Sequence, residues 1–271
     1  MRGKRIYVTG GSSGIGKAMA AEALRRGAAG VWISARGRDR LDAAVAALRA
    51  FASADQVVGS TALDVSDQKA CEAAATEILA GLGGLDVLVN NAGVAHVGRL
   101  EAATPEEYRR MMDINYFGTV WTTLAFLPHF RQQRSGSIAA VSSTLGQMGL
   151  FGYSAYCASK FAVSGFFDCL RQDLLPYGVS VTVLYPADVD TPQYAEENLT
   201  KPPETKALSG TASLARPEDV AVKCLDAIAA GHYRVAPGLA NSAILTANRL
   251  LPGITRWWID GELRRFWKRS A

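Results

Sequence analysis

The sequence is poor in the residues that build metal centres and disulfide frameworks. It has four cysteines and three histidines in 271 residues. Cys71, Cys157, Cys169 and Cys224 form no CxxC pair and lie near no histidine cluster. They read as reduced, mostly buried thiols of a cytosolic protein. His96, His129 and His232 are scattered along the chain, so no metal is expected. No stretch reaches the ~18 uncharged apolar residues of a spanning helix. The apolar "RIYVTG" near the start is too short for a secretory leader. Strong net charge is missing too. The formal charge is +4, and Arg249, Arg256, Arg264, Arg265, Lys268 and Arg269 face only Asp260 and Glu262 in the tail. The body is therefore about neutral, which excludes a broadly basic nucleic-acid-binding surface.

What is there suits one α/β domain with a real core. Short β-branched runs alternate with Ala-rich helical ones. The runs are "RIYVTG", "GVWISA", "VVGSTALDV", "LDVLVNNAG", "GSIAAVSS" and "VSVTVLYPA". Helices are expected over 15–27, 39–52, 67–82, 105–131 and 155–176. The runs are apolar on both faces, as buried parallel strands are. Six of them with intervening helices predict a doubly wound, Rossmann-type parallel sheet with right-handed crossovers. The expected domain covers residues 1–235, followed by an apolar and basic extension over 236–271. The stretch 188–216 is rich in Pro, Thr and Glu and follows a strand C-terminus, where such sheets bind ligands. It is a candidate lid.

The first strand ends in "TGGSSGIGKAMA". Gly10, Gly14 and Gly16, with Ser12, Ser13 and Ile15 between them, give a turn that lets backbone approach phosphate. The helix behind it offers free N–H groups to a pyrophosphate. The second strand ends in Ala35 and Arg36, with Arg38 next, where a dinucleotide fold usually places an acid for the ribose hydroxyls. With no carboxylate to repel it, a 2′-phosphate can pair with a guanidinium, so NADP(H) is favoured over NAD(H). Asp64 and Val65 end the third strand, where Asp64 could accept a bond from an adenine amino group. Asn91, Ala92 and Gly93 of "NNAG" end the fourth, in a turn that would border the cofactor.

Together these motifs resemble the short-chain dehydrogenase/reductase family. The matches are "TGGSSGIG", "NNAG", Asn115 in "NYFG", "SS" at Ser142–Ser143, Tyr156 with Lys160, and "YPADVDTP", in order over about residues 4–235. The family pattern Tyr-x-x-x-Lys selects Tyr156 over Tyr153 in "YSAYCASK", and its serine thirteen positions earlier selects Ser143. Residues four apart share a helix face, so Lys160 is expected to lie beside Tyr156 and lower its pKa. The resemblance implies ketone reduction. The cofactor would supply hydride, Tyr156 a proton and Ser143 a hydrogen bond to the same oxygen, while Lys160 holds the nicotinamide ribose. It further implies that Asn115 anchors a water leading to Lys160, and that Pro186, Thr191 and the Val189 backbone meet the nicotinamide. The family usually has Pro-Gly after strand six; here it is Pro186-Ala187.

Two stretches, "GQMGLFGYSAYCASKFAVSGF" and "YPADVDTPQYAEENLTKPPETKALS", resemble the bacterial-type branch of that family that reduces 3-ketosphinganine, a long-chain sphingoid ketone of sphingolipid synthesis. Without that resemblance "AEENLTKPPETK" reads as a polar surface loop. Other ketones (3-oxoacyl, steroid or retinoid) and a non-catalytic NADP sensor are the alternatives. Tyr153, Asp188 and His96 are further candidates for the substrate pocket, although His96 reads more readily as a plain loop histidine. Asp188, Asp190, Glu196 and Glu197 all lie where a substrate amine would need a carboxylate. In the tail, Ile259, Leu263, Phe266 and Trp267 share one helical face, with basic residues on the other and Trp257 and Trp258 before them. Such a segment suits the surface of an anionic bilayer, or packs on the domain. The expectation is a cytoplasmic protein with peripheral contact at the inner membrane surface. The family commonly pairs through its long helices into dimers or tetramers; here Phe161, Phe166, Phe167 and Leu170 could serve that contact or the core.

Overall fold

The computed structural model describes residues 1–209 and 214–270, the side chain of Ser270 excepted. Strands β1 (Arg5–Thr9), β2 (Gly30–Ala35), β3 (Val57–Ala62), β4 (Val87–Asn90), β5 (Gly136–Val141), β6 (Val179–Leu184) and β7 (Arg234–Val235) form one sheet. Its order is β3-β2-β1-β4-β5-β6-β7, and every pairing is parallel. The six expected strands are present. The seventh, β7, is a two-residue edge strand without a readable pattern.

Alternation along the strands builds two cores. Ile6 and Val8 face helices α1 (Gly14–Arg25), α2 (Arg38–Arg49) and α9 (Pro217–Ala229). Tyr7, between them, faces α3 (Gln68–Leu82), α5 (Gly118–Gln133) and α6 (Ser154–Leu174). Both faces of the sheet are thus covered, which is why its strands read as continuous apolar runs. Local signals set the helix ends. Asp67 accepts from the Ala70 N–H at 3.0 Å to cap α3. Thr104 and Glu107 form a reciprocal capping box at the start of α4 (Pro105–Met111).

The single helix expected over 105–131 is interrupted. A π-helical turn, Met112–Phe117, joins α4 to α5. Such an insertion re-aims side chains relative to a plain α-helix, and here it turns Asn115 inward, where it is 1% exposed.

The stretch 188–216 is not a polar loop. It contains α7 (Pro192–Thr200) and α8 (Pro203–Ser209), with a bridge between Val189 and Ala215 near its base. Lys201, Glu204 and Thr205 are buried, against the surface-loop reading of "AEENLTKPPETK". The reason is tertiary. Glu204 accepts from Arg99 at 2.6 Å, Thr205 donates to the Phe151 carbonyl at 3.0 Å, and the Lys201 ammonium lies 4.5 Å from the centre of the Tyr194 ring.

The C-terminal extension forms α10 (Leu239–Leu250) and α11 (Pro252–Ser270). Asn241 of α10 donates to the Tyr185 carbonyl at 2.7 Å and accepts from Thr144 Oγ1 at 2.8 Å, and Leu245 joins the second core. Helix α11 packs on α8 and α10, burying Ile259, with Trp267 edge-on to Phe151. Trp257 and Trp258 point to solvent, 74% and 51% exposed. Among the described residues no helix is long and apolar enough to cross a membrane. No group of His, Cys, Asp and Glu there could hold a metal ion. Cys71, Cys157 and Cys224 are buried free thiols, whereas Cys169 is exposed. On the long helices, Phe167 and Leu170 belong to the core and Phe161 is exposed.

Candidate active site

One cleft of about 280 Å³ runs along the C-terminal ends of the strands. At one end lie Arg36 and Arg40, and at the other Ser143, Tyr153, Tyr156 and Lys160. The glycine turn lies between. Gly10 and Gly14 have φ of 66° and 54°, in the left-handed region that side chains disfavour. A Cβ on Gly10 would stand 2.8 Å from the Ala92 Cα, and one on Gly16 2.4 Å from Asn91 Nδ2. Gly16 therefore serves packing beneath the turn and does not itself line the cleft. Thr9 Oγ1 accepts from the N–H groups of both Asn91 and Ala92 at 2.9 Å. Asn91 Nδ2 returns bonds to the carbonyls of Thr9 and Gly10 at 2.9 and 3.1 Å. The ends of β1 and β4 are stitched together, so the "NNAG" turn fixes the shape of the glycine turn.

The first turn of α1 has no acidic residue, and Ser13 makes no side-chain cap. Its N–H groups and the positive end of its dipole remain available to phosphate. Arg36 lines the cleft at the end of β2, beside Ala35. Arg38, expected as its partner, is exposed at the start of α2 and does not line the cleft; Arg40 does. Helical spacing explains the exchange, because residues 38 and 40 project in different directions from the same first turn. Asp64 lines the cleft with one carboxylate oxygen held by the N–H and hydroxyl of Ser66, at 3.0 and 2.7 Å. These bonds and Arg36 hold its carboxyl below the usual range, against the opposing effect of burial. A cradle of glycines under a bare helix end, with cations beyond the β2 end, fits a phosphorylated dinucleotide.

Past β6, Pro186, Ala187, Asp188, Val189 and Thr191 line the other wall. The Pro186 carbonyl accepts from Thr144 N and Oγ1 at 3.0 and 3.1 Å, fixing the backbone where the family's glycine is replaced. The Thr191 side chain accepts from Tyr194 N at 3.2 Å and so caps α7, while its methyl stands over Gly14.

At the far end, Ser143 caps the start of a 3-10 turn after β5 and Tyr156 lies in the first turn of α6. The nearby Ser143 hydroxyl favours the phenolate. Burial opposes it more strongly, and the charge of Glu197 adds to burial, so the Tyr156 pKa is raised. Lys160, one turn on, is 5% exposed, and burial lowers its pKa to about 8. Its ammonium donates to the Val141 carbonyl at 2.9 Å and stands 5.7 Å from the Tyr156 ring centre. The expected lowering of Tyr156 by Lys160 is thus not found in the protein alone. The lysine is itself desolvated and turned to the backbone, and burial of the phenol dominates.

Asn115 does not line the cleft. Its amide exchanges two hydrogen bonds with the Val94 backbone, at 2.8 and 2.9 Å, and donates to Ser159 Oγ at 2.9 Å. Both its Oδ1 and Lys160 Nζ approach Gly93, so the two residues flank the same turn. His96 does not line the cleft either; its Nδ1 stands 2.9 Å from a Glu107 oxygen. Its place immediately after "NNAG" could not show that the chain had already turned away.

Tyr153 is a wall residue as expected, its ring centre 5.9 Å from that of Tyr156. Of the four carboxylates raised as candidates, Asp188 and Glu197 line the cleft, whereas Asp190 and Glu196 are exposed and do not. Glu197 lies on α7, whose helical register could not be read from a segment that looked like a loop.

The family model described as short chain dehydrogenase matches residues 4–202. The chain is 43% identical over 223 residues to a 3-dehydrosphinganine reductase of Danio rerio, covering 82% of this chain and 67% of that one. It is 40% identical over 255 residues to a 3-ketodihydrosphingosine reductase of Bos taurus, covering 93% and 74%. Among solved structures, a short-chain dehydrogenase from Streptomyces avermitilis is 31% identical with a TM-score of 0.79, over 98% of this chain and 97% of that one. A levodione reductase, 24% identical with a TM-score of 0.81 over 90% and 99%, shows the same fold.

Proposed function

The chain belongs to the short-chain dehydrogenase family, and on that premise we propose that it reduces the keto group of 3-ketosphinganine to sphinganine with NADPH. The observation that carries this reading is the likeness to reductases named for that ketone, which at 93% coverage extends through the lid as well as the cofactor half. NADPH is supported by Arg36 and Arg40 on the cleft wall where Ala35 stands in place of an acid.

NADPH, when bound, supplies a hydride to the ketone carbon. The roles of the protein's own groups follow from their placement. A raised pKa keeps Tyr156 a neutral phenol at pH 7, so its hydroxyl holds the proton that the ketone oxygen needs as it becomes an alkoxide. Ser143, in the same cleft as that hydroxyl, offers a second polar contact to the same oxygen. Lys160 has donors to spare beyond its bond to Val141 and would hold a ribose hydroxyl of the bound cofactor. Asn115 locks the Val94 backbone against α6 and keeps the "NNAG" turn beside Lys160.

The protein meets its insoluble substrate at the cytoplasmic face of a membrane. Ile254, Trp257 and Trp258 are exposed at i, i+3 and i+4 of α11, with exposed Arg256, Arg264, Arg265, Lys268 and Arg269 on the same helix. Exposed Phe117, Leu124 and Phe161 support pairing of the chain through α5 and α6. An NADPH-oxidation assay with 3-ketosphinganine and a panel of steroid, retinoid and 3-oxoacyl ketones tests the substrate. Turnover of the panel without turnover of 3-ketosphinganine would overturn the reading.

A further inference from the structure

We propose that Glu197, aimed by Tyr153, forms an ammonium-binding subsite that selects ketones carrying a protonated amine on the neighbouring carbon. This rests on the function proposed above, since 3-ketosphinganine is a 2-amino-3-ketone.

The Glu197 carboxylate lines the same cleft as Ser143 and Tyr156. Its described hydrogen-bond partners are both neutral. Oε2 accepts from the Tyr153 hydroxyl at 3.0 Å and Oε1 from Gln193 Nε2 at 3.1 Å. A carboxylate has about four lone-pair sites, so half its accepting capacity remains. Burial raises its pKa, and the charge of nearby Asp188 adds to the strain. Two cations act on the same region, and neither pairs with it. Lys201 exerts only a through-space pull, with its ammonium over the Tyr194 ring. Lys160 is turned to the Val141 carbonyl. Among the described residues, this partly buried carboxylate is held by neutral donors and has no paired counter-ion to offset its desolvation.

The position suits the missing cation. Tyr153, the N-cap of α6, and Tyr156 in its first turn are neighbours, and the Glu197 charge raises the pKa of Tyr156. A ketone oxygen held by Ser143 and Tyr156 places the adjacent carbon, and any amine on it, beside Tyr153. An ammonium there would neutralise Glu197 and relieve its unfavourable effect on the proton donor. Asp188, also lining the cleft, adds negative potential, and no side-chain hydrogen bond among the described residues holds it. Of the two, Glu197 alone is pre-aimed, which marks it as the recognising group.

The test compares kcat/KM for 3-ketosphinganine with that for 1-hydroxyoctadecan-3-one, which has hydrogen in place of the amine. The unmodified protein is expected to favour the amino ketone at least tenfold. Glu197→Gln should lower that ratio by roughly 10–100-fold, the size of one charged hydrogen bond. Tyr153→Phe should lower it less, by freeing the carboxylate to turn. Equal kcat/KM for both ketones in the unmodified protein would overturn the subsite while leaving the proposed function standing. An equal fall on both ketones in Glu197→Gln would do the same, because a merely structural role does not separate substrates. No turnover of 3-ketosphinganine by unmodified protein, with turnover of other ketones, would overturn the function and the subsite together. Should Glu197→Gln melt early, the two-ketone comparison in unmodified protein still decides.

Discussion

Lys160 and Tyr156 lie one helical turn apart, yet the lysine gives its hydrogen bond to the Val141 carbonyl, with its nitrogen 5.7 Å from the tyrosine ring centre. Both groups are buried, and burial pushes each toward its neutral form, the tyrosine upward and the lysine down to about 8. The site thus holds a neutral acid beside a cation that gives up its proton easily.

A stability consequence follows for the protein without cofactor. Lowering a lysine from 10.5 to about 8 corresponds to roughly 3 kcal/mol of desolvation cost at neutral pH. That cost is full below pH 8, where folded and unfolded chains are both charged. It fades as pH rises from 8 to 10.5, where only the unfolded chain holds the proton, and it is gone above. Lys160→Met should therefore melt several degrees higher than the unmodified protein at pH 7. The gain should shrink toward pH 10, while reductase activity is lost. Melting curves at both pH values check it; a lower melting temperature at pH 7 would contradict the assignment.

Tyr156→Phe keeps the ring and its packing and removes only the hydroxyl. The expected result is a fall in kcat of about 10²–10⁴-fold with the melting temperature within a degree or two. Steady-state kinetics with 3-ketosphinganine decide, and an unchanged kcat would remove Tyr156 as proton donor.

Cofactor choice should reside in Arg36 and Arg40. Arg36→Ala is expected to raise the KM for NADPH about 10–100-fold, the size of a lost charged contact, with little change for NADH. Arg40→Ala should act in the same direction and Arg38→Ala should not, since residue 38 does not line the cleft. Parallel titrations with the two cofactors measure this.

Much of this was legible in the sequence, for definite reasons. The parallel sheet announced itself because both its faces are covered, and the glycine turn because it joins a strand to a helix. The family's fixed spacings pointed to Tyr156, Lys160 and Ser143, and all three line one cleft. Three things were hidden. The π-turn at Met112–Phe117 shifts helical register without any compositional mark, so the orientation of Asn115 could not be counted out. The segment of α7 and α8 is polar because it buries Glu204 against Arg99 and Lys201 against Tyr194, which no hydrophobic period records. Helix α7, unseen, left four acidic residues equivalent when only Asp188 and Glu197 face the cleft.

The membrane reading makes a separate demand on α11. Trp257→Ala with Trp258→Ala should abolish flotation with phosphatidylglycerol vesicles, because each exposed indole supplies interfacial apolar area. Raising salt should weaken binding by the unmodified protein, since the flanking charges are basic. Soluble activity on a short-chain amino ketone should persist, as neither tryptophan lines the cleft. Flotation that survives both substitutions would rule out this helix as the contact.

The strand made first ends in the middle of the sheet. β1 pairs with β2 on one side and β4 on the other, and Ile6 stands opposite Val87. On a ribosome adding about 5–20 residues per second, the second edge of β1 stays open for several seconds after the strand emerges. During that wait the glycine turn has no Asn91 to pin it. The cofactor cradle is therefore complete only once β4 is made, well after its glycines.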